Sequence, residues 1–175
     1  MISFDVFLDR QRLPSAADWA RMVREGNFEA QLNSGFDPHS YSGYLPCPDD
    51  RSGFEYYLEA FDEPTPEIGA EGAKVIGARN AVVSLRFTGR PADRAIATAA
   101  AATLAAMTDG VLFDSEPGHF VAAADALAWA RNEKYQPIAV SRRRVNRRRA
   151  RLTPPIIFRL LLILALSAAV FWLRK

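Results

Sequence analysis

The chain is poor in sulfur, poor in histidine and, over its last fifth, devoid of acid. Cys47 is the single cysteine among 175 residues, so no disulfide can close within the chain, and a reducing compartment is expected. There is no Asn-x-Ser/Thr acceptor. The opening MISFDVFLD has no basic start and carries Asp5 early, a composition unlike a secretory signal peptide. The two histidines, His39 and His119, stand in no spaced metal-ligand pattern, and Gly69, Gly72 and Gly77 form neither a dinucleotide fingerprint nor a phosphate loop. No cofactor or metal is therefore expected, and no catalytic motif marks the chain as an enzyme.

The missing acid shows where the chain changes character. Residues 1–140 hold all 20 acids and 12 of the Lys/Arg, a formal charge of −8. Residues 141–175 hold the other 10 basic residues and no acid, a formal charge of +10. The overall +2 conceals an acidic domain joined to a basic, membrane-adjacent segment.

From Pro154 to Leu173 the one charge is Arg159. A helix of that length reaches about 30 Å, the thickness of the bilayer hydrocarbon. Twelve residues between Ile156 and Leu173 are Leu, Ile, Val or Phe. At a few tenths of a kcal/mol each they contribute roughly −5 kcal/mol toward insertion. Arg159 would cost about 2.5 kcal/mol at mid-helix, and less one turn from the end, where its side chain reaches the headgroups. The balance favours a transmembrane helix over 154–173 rather than a buried core helix. Trp172, Arg174 and Lys175 form an interfacial anchor at its far end. The cluster SRRRVNRRRARL supplies Arg142, Arg143, Arg144, Arg147, Arg148, Arg149 and Arg151 just ahead of it. Seven arginines before the span and two basic residues after it predict a cytoplasmic N-terminus, with the C-terminus outside a bacterial inner membrane. The cluster is also expected to bind anionic headgroups. It lacks interleaved aromatics, and the domain beside it is acidic, so nucleic acid is not the expected partner.

Residues 1–131 read as an α+β domain, and 132–153 as a linker carrying the arginines. Ile2, Phe4, Val6 and Leu8 alternate as on a strand. Ser15 with Asp18 opens a helix whose stripe is Ala16, Trp19, Met22 and Val23, with Gly26 as the stop. Further strands are expected over 53–61, 80–89 and 110–114, and 62–77 is expected to be irregular. Pro91 opens an alanine-rich helix with Ile96, Ala100, Leu104 and Met107 on one side and Gly110 as its stop. A last helix is expected over 119–131, with Phe120, Ala124 and Leu127 inward. Without that helix the order is β-α-β-β-α-β, the ferredoxin-like split βαβ plan of four antiparallel strands and two helices.

Residues 33–52 predict a long loop, and loops of that length inside a domain are often functional. Phe36, Tyr41 and Tyr44 alternate with Gly and Ser, and Asp37, Asp49 and Asp50 add negative charge. These six residues are the candidate contact surface for a protein partner, a basic one by charge. A disordered or locally packed loop has the same composition. Asp114, Glu116 and His119 are close enough in sequence to meet at a turn as acid–base or metal groups, although the simpler reading is a turn acid, a solvated Glu and a His near a helix start. Cys47 with His39 is no recognisable nucleophile pair.

The stretch from Val82 to Arg131, with VVSLRFTGR, an alanine-rich helix and TDGVLFDSEPG, resembles small bacterial proteins, some of them immunity proteins of polymorphic toxin systems. The resemblance covers about fifty residues and rests on the Asp109–Asp114 pattern. It implies a binding protein that blocks a toxin, and it carries over no catalytic residue. The expectation is thus a tail-anchored membrane protein whose acidic domain binds a protein partner. The alternatives are a structural or regulatory subunit held through small residues of the span (Ala165, Ser167, Ala168 and Ala169) and an enzyme at the membrane surface.

Overall fold

The computed structural model describes residues 2–48, 51–66, 68–132 and Ile138. The chain divides into two units, Met1–Ser141 and Arg142–Lys175, and the described residues all fall in the first. Among its described residues the first unit is an α+β fold of six antiparallel strands and four α-helices. In chain order these are β1 (Ile2–Leu8), α1 (Ala16–Glu25), β2 (Gly43–Pro46), β3 (Gly53–Ala60) and α2 (Gly69–Ile76). There follow β4 (Ala81–Phe87), α3 (Pro91–Thr108), β5 (Val111–Asp114), β6 (His119–Ala122) and α4 (Ala126–Ala130). The sheet order is β2-β3-β4-β1-β5-β6. β1 lies in the middle, paired with β4 through Ile2–Leu8 and with β5 through Phe4–Phe7.

One face of the sheet carries α1 and α3. The alternation expected on β1 holds, with Phe4, Val6 and Leu8 buried on that side beside Val83, Leu85 and Phe87 of β4. Trp19 joins the two helices: its indole N–H donates to the Ala100 carbonyl and the Thr103 hydroxyl, both at 3.1 Å. The alanines of α3 let this long helix lie close to the sheet along most of its length, and six of the nine are buried. Met22 and Met107, expected on the inward stripes, are half-buried.

The opposite face has its own smaller core of Phe7, Ile68, Ile76, Val111, Phe113 and Phe120. α2 covers it where an irregular segment was expected. Ile68, Gly72 and Ile76 recur at helical spacing, and two glycines within eight residues hide that period. A Cβ at Gly72 would lie 2.9 Å from the Phe120 ring and 2.6 Å from Ile68, so the glycine permits the close approach of helix to sheet.

The expected four strands become six. β2 arises within the predicted long loop and pairs with Gly53–Tyr56 of β3. The predicted helix over 119–131 is instead the strand β6, a 3-10 turn and the short α4. The tight turn after Asp114 returns the chain alongside β5, so Phe120 faces the α2 side, whereas Leu127 packs on the helix side and Ala124 is exposed. α1 ends at Gly26 as expected, whereas α3 is capped by Asp109, one residue before the expected Gly110. Asn27 and Asp109 take the left-handed conformation, with φ of 57° and 53°, while Gly26 and Gly110 are packed in the interior. Asn and Asp tolerate that region because their side chains bond locally.

Within the predicted linker, Ile138 forms an antiparallel bridge with Phe120 at the edge of β6. Among the described residues no helix is long and apolar enough to cross a membrane. The predicted span 154–173, the seven arginines from Arg142 to Arg151, and Asp49 and Asp50 lie outside the described residues.

Candidate binding cleft beside helix α3

Strand alternation places a carboxylate where an apolar side chain belongs. In VLFD, Leu112 faces the α1/α3 core, so Asp114, two residues on, faces the same way. The register confirms it: Asp114 stands opposite Phe4 of β1 and opposite His119 of β6, a row of three across neighbouring strands. Asp114 is only 4 % exposed. Its Oδ1 accepts the Glu116 backbone N–H at 3.1 Å, and its carbonyl accepts the Gly118 N–H at 2.8 Å, which closes the hairpin turn. Burial pushes the Asp114 carboxyl above its ordinary pKa, against the opposing pull of the Glu116 N–H, His119 and Arg94.

The row opens into a cleft of about 530 Å³ beside the first turns of α3, walled by Phe4, Phe28, Ala95, Thr98 and Trp129. Trp129 meets Phe4 edge-on, with ring centroids 5.2 Å apart. The outer wall is tied down by Arg131, which donates to the Gly26 carbonyl at 3.0 Å and lies 5.7 Å over the Phe28 ring. Glu116 is held at the rim by Arg94 at 2.8 Å. Thus Asp114 and His119 converge, as the sequence allowed, while Glu116 is turned to Arg94. A second hollow of about 580 Å³ continues past Phe28, Glu29 and Ala30 toward Cys47 and Ser52. Cys47 is buried in the helix-side core and His39 is exposed on its loop. Among the described residues no group of three or more His, Cys, Asp or Glu is placed to hold a metal ion.

The predicted aromatic loop is a packed structure. Phe36 meets Tyr41 and Tyr56 edge-on and Trp19 at a tilt, with centroids 5.4, 5.6 and 6.3 Å apart, and half-buries itself on the core. The Tyr56 hydroxyl donates to the Pro38 carbonyl at 2.7 Å, and that of Tyr41 donates to the Tyr44 carbonyl. Asp37 accepts the His39 N–H and the Ser40 hydroxyl, bonds that hold its pKa below the usual range. Of the described predicted contact residues, Asp37 and Tyr44 present themselves to solvent, and Tyr44, 52 % exposed, is the most open large hydrophobic side chain among the described residues.

Asp93 performs a different task at the same helix. It is 1 % exposed and accepts Arg90 through two bonds of 2.8 Å, the Thr88 hydroxyl, and the Gly53 N–H at 3.2 Å. Desolvation pushes its carboxyl up, but these donors outweigh it and hold the pKa below normal. It locks the start of α3 to β3 and β4. No family model matches the chain, and neither a curated protein nor a solved structure does.

Proposed function

We propose that the chain is a bacterial single-pass, C-tail-anchored membrane protein whose acidic domain, on the cytoplasmic side, binds a protein partner in the manner of an immunity-type inhibitor. Its fold reads as a ferredoxin-like split βαβ unit formed by β1, α1, β3, β4, α3 and β5, extended by β2 and β6 at the sheet edges. The observation that carries the reading is the segregation of charge, −8 over residues 1–140 against +10 over 141–175, with an apolar run of membrane-spanning length at the end. The cleft beside α3 adds a concave surface with a buried carboxylate. The resemblance over Val82–Arg131 supports the inhibitor version.

The test is fractionation followed by mild-detergent purification of the full chain. Sedimentation with membranes, and a protein that co-purifies in fixed ratio, support the reading. Full-length protein that stays in the supernatant, or a preparation that carries lipid alone, overturns it.

A second reading rests on the Asp114–His119 pair in the cleft: an acid–base enzyme at the membrane surface. Tight retention of a metal ion or turnover of a soluble substrate, lost on combined alanine substitution of Asp114, Glu116 and His119, would favour it.

A further inference from the structure

Asp114 is a buried carboxylate that the fold does not need. The two hydrogen bonds that close its hairpin turn, from the Glu116 N–H to its side chain and from the Gly118 N–H to its backbone carbonyl, would be accepted equally by an asparagine. A desolvated carboxylate lining a cleft marks a candidate site, and a cationic ligand is the chemistry that would satisfy it. The surroundings agree. The walls of the cleft are aromatic, with Trp129 and Phe4 in edge-to-face contact beside the carboxylate. Rings next to a desolvated carboxylate are the two components of a site for an organic cation. Glu29 and Glu116 add negative charge; Arg94 is committed to Glu116, Arg131 to the Gly26 carbonyl and the Phe28 ring, and His119, across from Asp114, is the remaining group that can carry positive charge.

We infer that the cleft between Phe28, Trp129 and the N-terminal half of α3 receives a single lysine or arginine side chain of the partner, its cationic head on Asp114 and its stem along Phe4 and Trp129. This rests on the proposed function and specifies its contact: the basic partner is gripped by one inserted side chain, and the long loop 33–52 serves mainly as packing. The hollow running on toward Cys47 leaves room for the partner's flanking backbone.

The experiment uses the full chain in detergent micelles, labelled with 5-fluorotryptophan. Resonances of Trp19, Trp129 and Trp172 are assigned by single Trp→Phe substitutions. The probes are the Nα-acetyl N-methylamides of lysine, arginine and norleucine. A lone charged contact predicts millimolar affinity, so titration runs to about 50 mM. The expected result is a saturable shift of the Trp129 resonance with a cationic probe, no matching shift of Trp19, and no response to norleucine. Asp114→Asn is expected to weaken binding about tenfold or more while leaving the Trp19 resonance in place, which reports an intact core. Glu71→Gln, which removes the same charge from α2 on the other face of the sheet, is expected to leave it unchanged. Equal response to norleucine, equal binding by Asp114→Asn, or silence of Trp129 overturns the inference. Failure here is separable from failure of the proposed function. A partner retained equally by Asp114→Asn removes the cation pocket alone, and a responsive pocket with no co-purifying protein removes the partner reading alone.

Discussion

Asp93, in the first turn of α3, and Asp114, at the end of β5, are both buried carboxylates, and they respond to pH in opposite senses. The Asp114 carboxyl is raised by desolvation, so its contribution to stability is full below the unfolded pKa and is lost as pH rises through the folded one. Above that window its charge opposes folding. Asp114→Asn is therefore expected to unfold at higher urea than the parent at neutral pH, with the difference vanishing below about pH 3. Asp93 is held low by Arg90, Thr88 and Gly53 against its own desolvation. Its contribution is present above the unfolded pKa and is lost as pH falls through the folded one. Asp93→Asn weakens the pairing with Arg90 and is expected to destabilise by about 1–3 kcal/mol at neutral pH, narrowing in acid. Paired urea titrations of the two variants at neutral and acid pH check both signs. An Asp93→Asn variant as stable as the parent at neutral pH would show that its four bonds are replaceable.

At the scale of elements, α1 and α3 were legible and α2 was not. Trp19 and Val23 on α1, and Ile96 and Leu104 on α3, repeat at helical spacing between clear start signals, Ser15 and Pro91. Trp19 fills the joint between them, and Trp19→Ala is expected to cost about 3–5 kcal/mol, read as a lowered unfolding midpoint. α2 shows Ile68, Gly72 and Ile76 on one face but has Gly69 and Gly77 at its ends, both at positive φ, in a stretch rich in Pro and Glu. Local composition argued for a loop, and burial against Phe120 decided for a helix. Gly72→Ala tests that contact. Helix propensity gains about 1 kcal/mol from the change. The new Cβ, 2.9 Å from the Phe120 ring, forces repacking that costs about 1–3 kcal/mol. The net expectation is destabilisation of about 1 kcal/mol; stabilisation would mean that Phe120 gives way freely. β6 was hidden for a similar reason. HFVAAADALAWAR has helical composition, and only pairing with β5 makes its first four residues a strand. The cleft was partly legible, since Asp114 and His119 stood out by type. Their convergence required the hairpin, and the value of Asp114 follows from alternation with Leu112, a pattern visible in VLFD once β5 is taken as a two-faced strand. The loop 33–52 shows the converse: its aromatic residues looked available for recognition, and Phe36 and Tyr41 are spent on packing against Tyr56.

For the whole molecule, the distribution of charge along the chain matters more than its sum. On the proposed topology, the apolar run with seven arginines ahead of it and two basic residues behind it would be oriented by that imbalance, because basic flanks resist transfer across the membrane. Each arginine near an anionic surface adds roughly 1 kcal/mol of attraction, which falls off within a Debye length. Replacing all seven with glutamine leaves Arg159, Arg174 and Lys175 as the basic residues of residues 141–175, so the larger flanking charge moves to the other end of the run. A reporter fused after Lys175 that works only outside the cytoplasm is expected to be active on the parent chain. On the glutamine variant it should lose activity as orientation becomes mixed or inverted. A fusion to the parent that works only with a cytoplasmic-type reporter would refute the topology, and equal activity of parent and variant would show that the arginines do not set it.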